Sequence, residues 1–466
     1  MTMTDRPMDT EEAFEIAFDG YLAGYPLVTL DSARRRHPAG PNRFVHARPG
    51  EAVGLCSPNP HVVYSSAWLD LRGGPVVISL PELRARHFVM PMMDAWGEIF
   101  ASLGVRRRGA GAQHLVVVGP GWSGSSTDDL PVVRAPTNAV WLLGRTLIDP
   151  LDDIDDGPWN DYFLTPKCLR SGMVADAPEA EWEPWPASVE PPDAEDFLDR
   201  LAALMTRHPP GVFRSALGRR LARLGVSGSR PFRLDDLPAD VAASVREGVA
   251  AAHNSISESA WPEAPGSDHW NRLSRPGGGR LSPLERAAII RRGFGFNLRD
   301  DAVYYTACED AAGAALNGET GYHLHFEPKG MPPVGAFWSM AAYDEKGHLP
   351  AAGAGDQVGL SSRDPLRFNP DGSLDVRIQT QRPTGPAGAN WVPAPAGRFR
   401  LILRTWQPGA TVLDGRWTPP PLRRVTAGDR RPHRKRLSES VGVGSGAPHS
   451  APGHLPDIGR DWMAPL

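Results

Sequence analysis

The chain has 466 residues, 41% of them hydrophobic, enough to bury a large core spread over two or three domains. Its formal charge of -4 and pI near 6.4 supply no basic field for gathering phosphates, so nucleic acid is not an expected partner of the body of the protein. Cys56, Cys168 and Cys308 are isolated, which argues against a disulfide framework or a structural zinc site and for a reducing compartment.

Met1 to Asp19 alternates acids with hydrophobic residues and lacks the basic start and apolar run of a secretory signal. No window reaches about eighteen uninterrupted apolar residues, the length a bilayer demands, so a cytoplasmic protein without a membrane partner is expected. Residues 1–24 read as a helical lead-in. From there to about residue 180, short apolar runs such as residues 76–80, 115–118 and 132–133 are cut by Gly and Pro, the punctuation of antiparallel strands in a sandwich or barrel. A connector rich in Pro, Glu and Trp follows at 182–193. Phe197, Leu198, Leu201, Leu204 and Met205, then Val241, Val245 and Val249, follow helical spacing, so residues 181–295 read as a helical bridge.

Strand patterns return at 321–326, 334–343, 374–380 and 398–406, defining a second β domain over 296–424. In the last of these, Phe399, Leu401 and Leu403 share one face while Arg400, Ile402, Arg404 and Trp406 share the other. Residues 425–466, basic at first and then rich in Gly, Ser and Pro, are too poor in apolar residues to fold and read as a disordered tail.

Two stretches stand out: Pro332 to Asp344, carrying Phe337 and Trp338, and Gly388 to Gly397, carrying Asn390 and Trp391. With Tyr25-Pro26-Leu27, the run from Asn59 to Ser66, Gly119-Pro120-Gly121-Trp122, Gly144-Arg145-Thr146 and Asp414 to Pro420, they resemble the paired bacterial families of unknown function 1254 (N-terminal) and 1214 (C-terminal). The resemblance implies a mainly β chain with a helical segment, two jelly-roll-like β-sandwich domains and a homotrimer; it brings no activity or cofactor. The chain departs from the families at His61-Val62, where they usually carry Asp-Thr, and at Gln357-Val358, where they carry Arg-Tyr.

Gly119 to Gly124 spells GxGxxG after an apolar strand. Pro120 and Trp122 crowd the approach and no helix pattern follows, so a tight turn is the better reading than a dinucleotide site. Three functional readings remain open, and whether the protein is an enzyme stays open with them. In the first, Asn59, Ser65, Trp338, Asn390 and Trp391 wall a pocket for a small organic molecule, with Tyr64 and Asp94 as proton-handling groups. In the second, the sandwiches are a non-catalytic assembly module. In the third, strand alternation places His323, His325 and Glu327 on one face as a cupin-like metal site, with His348 as a further candidate ligand.

Overall fold

Apolar runs bounded by Gly and Pro form strands, and the 3.6-period stretches form helices. The computed structural model describes residues 8–51, 57–83, 86–109, 111–124, 130–149, 157–166, 193–209, 215–259, 269–276, 281–350 and 357–425. The first half runs α1 (Thr10–Arg35), β1 (Val45–Ala47), β2 (Val62–Asp70), β3 (Val76–Leu80), β4 (Phe88–Asp94), β5 (Ile99–Gly104), α2 (Val105–Arg108), β6 (Gln113–Val118), β7 (Val132–Arg134), β8 (Ala139–Leu147) and β9 (Phe163–Pro166). Helices α3 (Ala194–Arg207), α4 (Ser215–Arg223) and α5 (Ala239–Glu258) lead to β10 (Trp270–Leu273), α6 (Pro283–Arg292) and β11 (Ala302–Ala307). The chain continues through β12 (Tyr322–Phe326), β13 (Val334–Asp344), β14 (Leu360–Ser361), β15 (Leu374–Gln379), β16 (Trp391–Pro393), β17 (Phe399–Pro408), α7 (Ala410–Leu413) and β18 (Arg423–Arg424).

The strands make four sheets, ordered β1-β2-β8-β4-β5 and β7-β6-β3-β9, then β10-β11-β17-β13-β14 and β16-β15-β12-β18. Raising every label of the first pair by nine reproduces the second pair, so one nine-stranded sandwich occurs twice in the chain. Registers repeat as well: Tyr64 faces Arg145 on β8 as Tyr304 faces Arg404 on β17, and the parallel pair β6–β7 is matched by β15–β16. The fold is mainly β with two sandwich domains. Within each, consecutive strands such as β4 and β5 pair directly inside one sheet, so sandwich is the description the connectivity carries.

Alternation decides what lies inside. Val63, Ala67 and Leu69 of β2 meet Val76, Ile78 and Leu80 of β3 in the first core, and Leu401 and Leu403 of β17 meet Leu324, Phe326 and Val376 in the second. The opposite faces of the two five-stranded sheets, through Tyr64, Trp68, Trp141, Tyr304 and Trp406, share a third core with α1, α3, α4, α5 and α6. Because both faces are covered, β2 is buried over nearly its whole length, and its two inner serines are hydrogen-bonded, Ser65 to His46 and Ser66 to Trp141.

The helices have ordinary start signals. Asp9 and Asp193 cap α1 and α3, and Ser282 with Glu285 forms a capping box on α6 ahead of Pro283. Helix α1 runs past residue 24 to Arg35 with Pro26 inside it, so the segment from Leu27 to Arg35, expected to open the strands, is helical. Residues 182–192 of the expected connector, Cys56, Cys168 and the tail from 426 onward lie outside the described residues.

Candidate metal centre

The residues expected to wall a pocket are placed apart. On β2, Tyr64 faces the core between the sandwiches, whereas Ser65 points to the other side, its Oγ 2.9 Å from His46 Nδ1. Asn59 is fully buried and fully used: its backbone N–H donates to Tyr64 Oη at 2.9 Å, its Nδ2 donates to Ser339 Oγ at 3.1 Å, and its Oδ1 accepts the His61 N–H. Asp94 is level with Val140 on β8 while Tyr64 is level with Arg145, a separation of roughly 16 Å along the sheet at about 3.3 Å per residue.

Asp94 instead closes the β4–β5 turn, its Oδ1 accepting the N–H groups of Trp96 and Glu98, both at 2.9 Å. The second sandwich repeats this turn, with Asp344 Oδ1 accepting from Lys346 and His348 at 3.0 and 2.8 Å. His348 is consumed there, its ring 3.4 Å from the Asp344 carboxylate, and does not join the histidine pair.

Trp338 is 2% exposed in the second core, stacked on Phe326 at 6.2 Å. Asn390 pins a loop, accepting from the Arg367 N–H and donating to the carbonyls of Arg367 and Asp375. Trp391 lies outward on β16, its Nε1 donating to the Gln379 carbonyl at 2.8 Å. The two tryptophans therefore belong to different sheets and different environments. The glycine-rich segment at 119–124 is a turn in which Arg134 donates to the carbonyls of Gly119, Pro120 and Trp122.

Among the described residues, the histidine pair gives the one convergent set. On β12, Tyr322, Leu324 and Phe326 fill the second core, which turns His323 and His325 outward. On β15, Leu374, Val376 and Ile378 do the same and turn Asp375 outward, directly opposite His325. His323 Nε2 lies 2.7 Å and His325 Nδ1 2.6 Å from the same oxygen, Asp375 Oδ1. The other oxygen accepts from Asn369 Nδ2 at 3.0 Å, and Asn369 is itself tied to Ser373. Burial pushes the Asp375 carboxyl up, but hydrogen bonds from His325, Asn369 and His323 outweigh it and hold the group down at about 2. Burial lowers the His323 imidazole, more than its bond to Asp375 raises it. At neutral pH the set is an ionised carboxylate beside an unprotonated His323, the states in which these side chains bind metals.

Asp375 approaches both imidazoles more closely than Glu327, the expected third member of the set. The Glu327 side chain is 77% exposed and its nearest approach to His325 is 3.7 Å. Alternation along one strand puts Glu327 about 6 to 7 Å beyond His325, whereas cross-strand pairing brings Asp375 to about 5 Å. Ligand atoms of His323, His325 and Asp375 all lie within 4.8 Å of one another, and among the described residues no other three His, Cys, Asp or Glu side chains are so placed. Two imidazoles and one carboxylate are a donor set suited to a divalent first-row transition metal, with coordination positions left open.

The first sandwich is an internal control. Strand pairing makes Val77, Ser79 and His114 the counterparts of His323, His325 and Asp375. There Val77 clusters with Val116 and Val118 beneath Trp122 and Leu130, so the same backbone is built with an apolar patch at the His323 position and with a serine and a histidine at the other two. The scaffold itself has no need of two histidines and an aspartate at these positions.

Fold and site define a tandem β-sandwich protein with a His-His-Asp face on its second unit. Residues 41–158 match the family described as Protein of unknown function (DUF1254) and residues 301–410 the family described as Protein of unknown function (DUF1214), so the chain pairs the two families in that order. No curated protein matches it. The crystal structure of the VPA0106 protein from Vibrio parahaemolyticus is similar over 89% of this chain and 100% of that one, with a TM-score of 0.66 and 18% identity, a likeness of fold alone. A putative uncharacterized protein from Burkholderia cenocepacia aligns over 89% of this chain and 93% of its own at 13% identity and a TM-score of 0.43. Among the described residues no helix is long and apolar enough to cross a membrane.

Proposed function

We propose that this protein binds a divalent first-row transition metal through His323, His325 and Asp375 and offers the metal's open positions to a small organic molecule. The observation that carries the reading is the convergence of both imidazoles on one Asp375 oxygen at 2.7 and 2.6 Å, on a sheet face whose counterpart in the same chain carries Val77, Ser79 and His114 instead. Metal–ligand bonds of about 2.0 to 2.2 Å require the three atoms to open to roughly 3.4 Å apart. Side chains that are 26% to 39% exposed can make that adjustment. Asn369 then acts as the outer partner that fixes the carboxylate.

Calorimetric titration of the full chain with Zn2+ and Mn2+ tests the proposal. His323→Ala and Asp375→Asn should each weaken binding by at least about 10-fold, and Asn369→Ala by about 10-fold. Glu327→Gln should leave affinity unchanged. Equal affinities in wild type and Asp375→Asn would remove the proposal.

A further inference from the structure

We infer that the molecule taken by this centre is an organic carboxylate with a flat apolar body, an inference that rests on the metal reading above. Arg377 stands opposite His323 in the β12–β15 pairing and opposite Trp391 in the β15–β16 pairing. The outer face therefore runs, strand by strand, from imidazole to guanidinium to indole. Arg377 has no carboxylate and no side-chain hydrogen bond among the described residues, and its Nη1 is shielded from water without an acceptor. A shielded guanidinium N–H left unmade is costly, and its planar fork matches a carboxylate.

Charge points the same way. A divalent metal held by one carboxylate and two neutral imidazoles keeps a net charge of about +1, and Arg377 and Arg423 flank His323 on the two neighbouring strands. The apolar part of the ligand has Trp391 beside it, an indole anchored by its bond to Gln379 with the Arg382 guanidinium 6.0 Å from its ring centre. Phe368, 51% exposed, immediately precedes Asn369, the residue that holds Asp375. In the first sandwich the counterparts of Arg377 and Trp391 are Val116 and Val132, so neither side chain is demanded by the fold. The planar fork of Arg377 beside the Trp391 indole favours a planar carboxylate with an apolar body over a phosphate, which has no apolar part to lay against the ring.

The test uses the full chain loaded with Co2+, whose visible absorption reports changes at the metal. Benzoate should shift the bands, while benzamide and inorganic phosphate at equal concentration should not. Arg377→Gln should weaken the benzoate response by about 10-fold or more while Co2+ affinity stays within about threefold. Trp391→Ala should weaken benzoate more than acetate. Co2+ binding without a benzoate response, or a response unchanged in Arg377→Gln, overturns this inference and leaves the metal reading standing. Failure of the wild type to bind Co2+ overturns both, and a stronger response to phosphate than to benzoate overturns the assignment of a carboxylate.

Discussion

Arg145 and Arg404 are counterparts in the two sandwiches, and each reaches across the interface to the segment that precedes the other's tyrosine-bearing strand. Arg145 donates to Asn297 Oδ1 at 2.9 Å and to the Gly295 carbonyl, ahead of Tyr304. Arg404 donates to the Ser57 carbonyl, ahead of Tyr64, and to Tyr343 Oη at 3.0 Å, which itself donates to the Pro58 carbonyl at 2.7 Å. Both arginines are 5% exposed and neither has a carboxylate partner among the described residues, so their charge is stabilised by carbonyl and hydroxyl dipoles. This reciprocal clasp, together with Asn59 and Tyr64, locks the halves together.

Cutting either arm should be expensive, because buried acceptors are left without donors. Arg145→Met and Arg404→Met are each expected to lower unfolding free energy by about 3 kcal/mol. Lysine should not restore it, since an ammonium lacks the fork that spans two acceptors. Urea unfolding curves of the four variants check this; losses below about 0.5 kcal/mol would show that the clasp holds little.

Asp94 and Asp344 should behave alike, as turn residues rather than acids. Each is followed three residues on by a glycine in the left-handed region, Gly97 at φ 82° and Gly347 at φ 87°. Asp94→Ala and Asp344→Ala should each cost about 1 to 2 kcal/mol, while Asp94→Asn, which keeps the accepting oxygen, should cost under about 1 kcal/mol. A large loss in the asparagine variant, measured by thermal unfolding, would point back to a role for the charge.

Trp338 fills the second core, so Trp338→Ala should destabilise by about 3 to 5 kcal/mol through the cavity it leaves. Trp391→Ala, on an outward edge, should cost under about 1 kcal/mol. Chemical denaturation of the pair distinguishes core from surface directly.

His87 sets an acid limit on stability. Burial lowers its imidazole to about 4, among Phe337 and Trp406 at ring distances of 5.8 and 5.5 Å. Because the unfolded ring titrates near 6.5, unfolded chains bind the extra proton between pH 6.5 and 4. Its contribution is therefore intact above pH 6.5 and falls by about 3 kcal/mol as pH drops to 4. His46, also lowered to about 4 by burial, adds to the same window. His87→Leu should flatten this acid limb in stability-versus-pH measurements; an unchanged slope would assign it to other groups.

Much of the scaffold is legible in the chain because β-branched runs and prolines announce strands wherever burial is strong. Strand β3 falls where a short apolar run puts it, β12, β13, β15 and β17 where strand patterns do, and α3 and α5 where 3.6-residue spacing does. The duplication is not legible, since the copies share registers rather than residues: Val77 and His323 occupy one position with opposite chemistry. Pairing register is a tertiary property, which is why alternation alone nominated Glu327 and passed over Asp375. The same gap hid the direction of Trp338, whose aromatic, Pro-flanked setting suits a core and a ligand wall equally.

The central claim is most directly tested by crystals of the full chain soaked with Zn2+ and measured at the zinc absorption edge. The account predicts one anomalous peak within bonding distance, about 2.0 to 2.2 Å, of His323, His325 and Asp375, lost in Asp375→Asn. A clean map at that face, or a peak held by Glu327 and His348 instead, would contradict it.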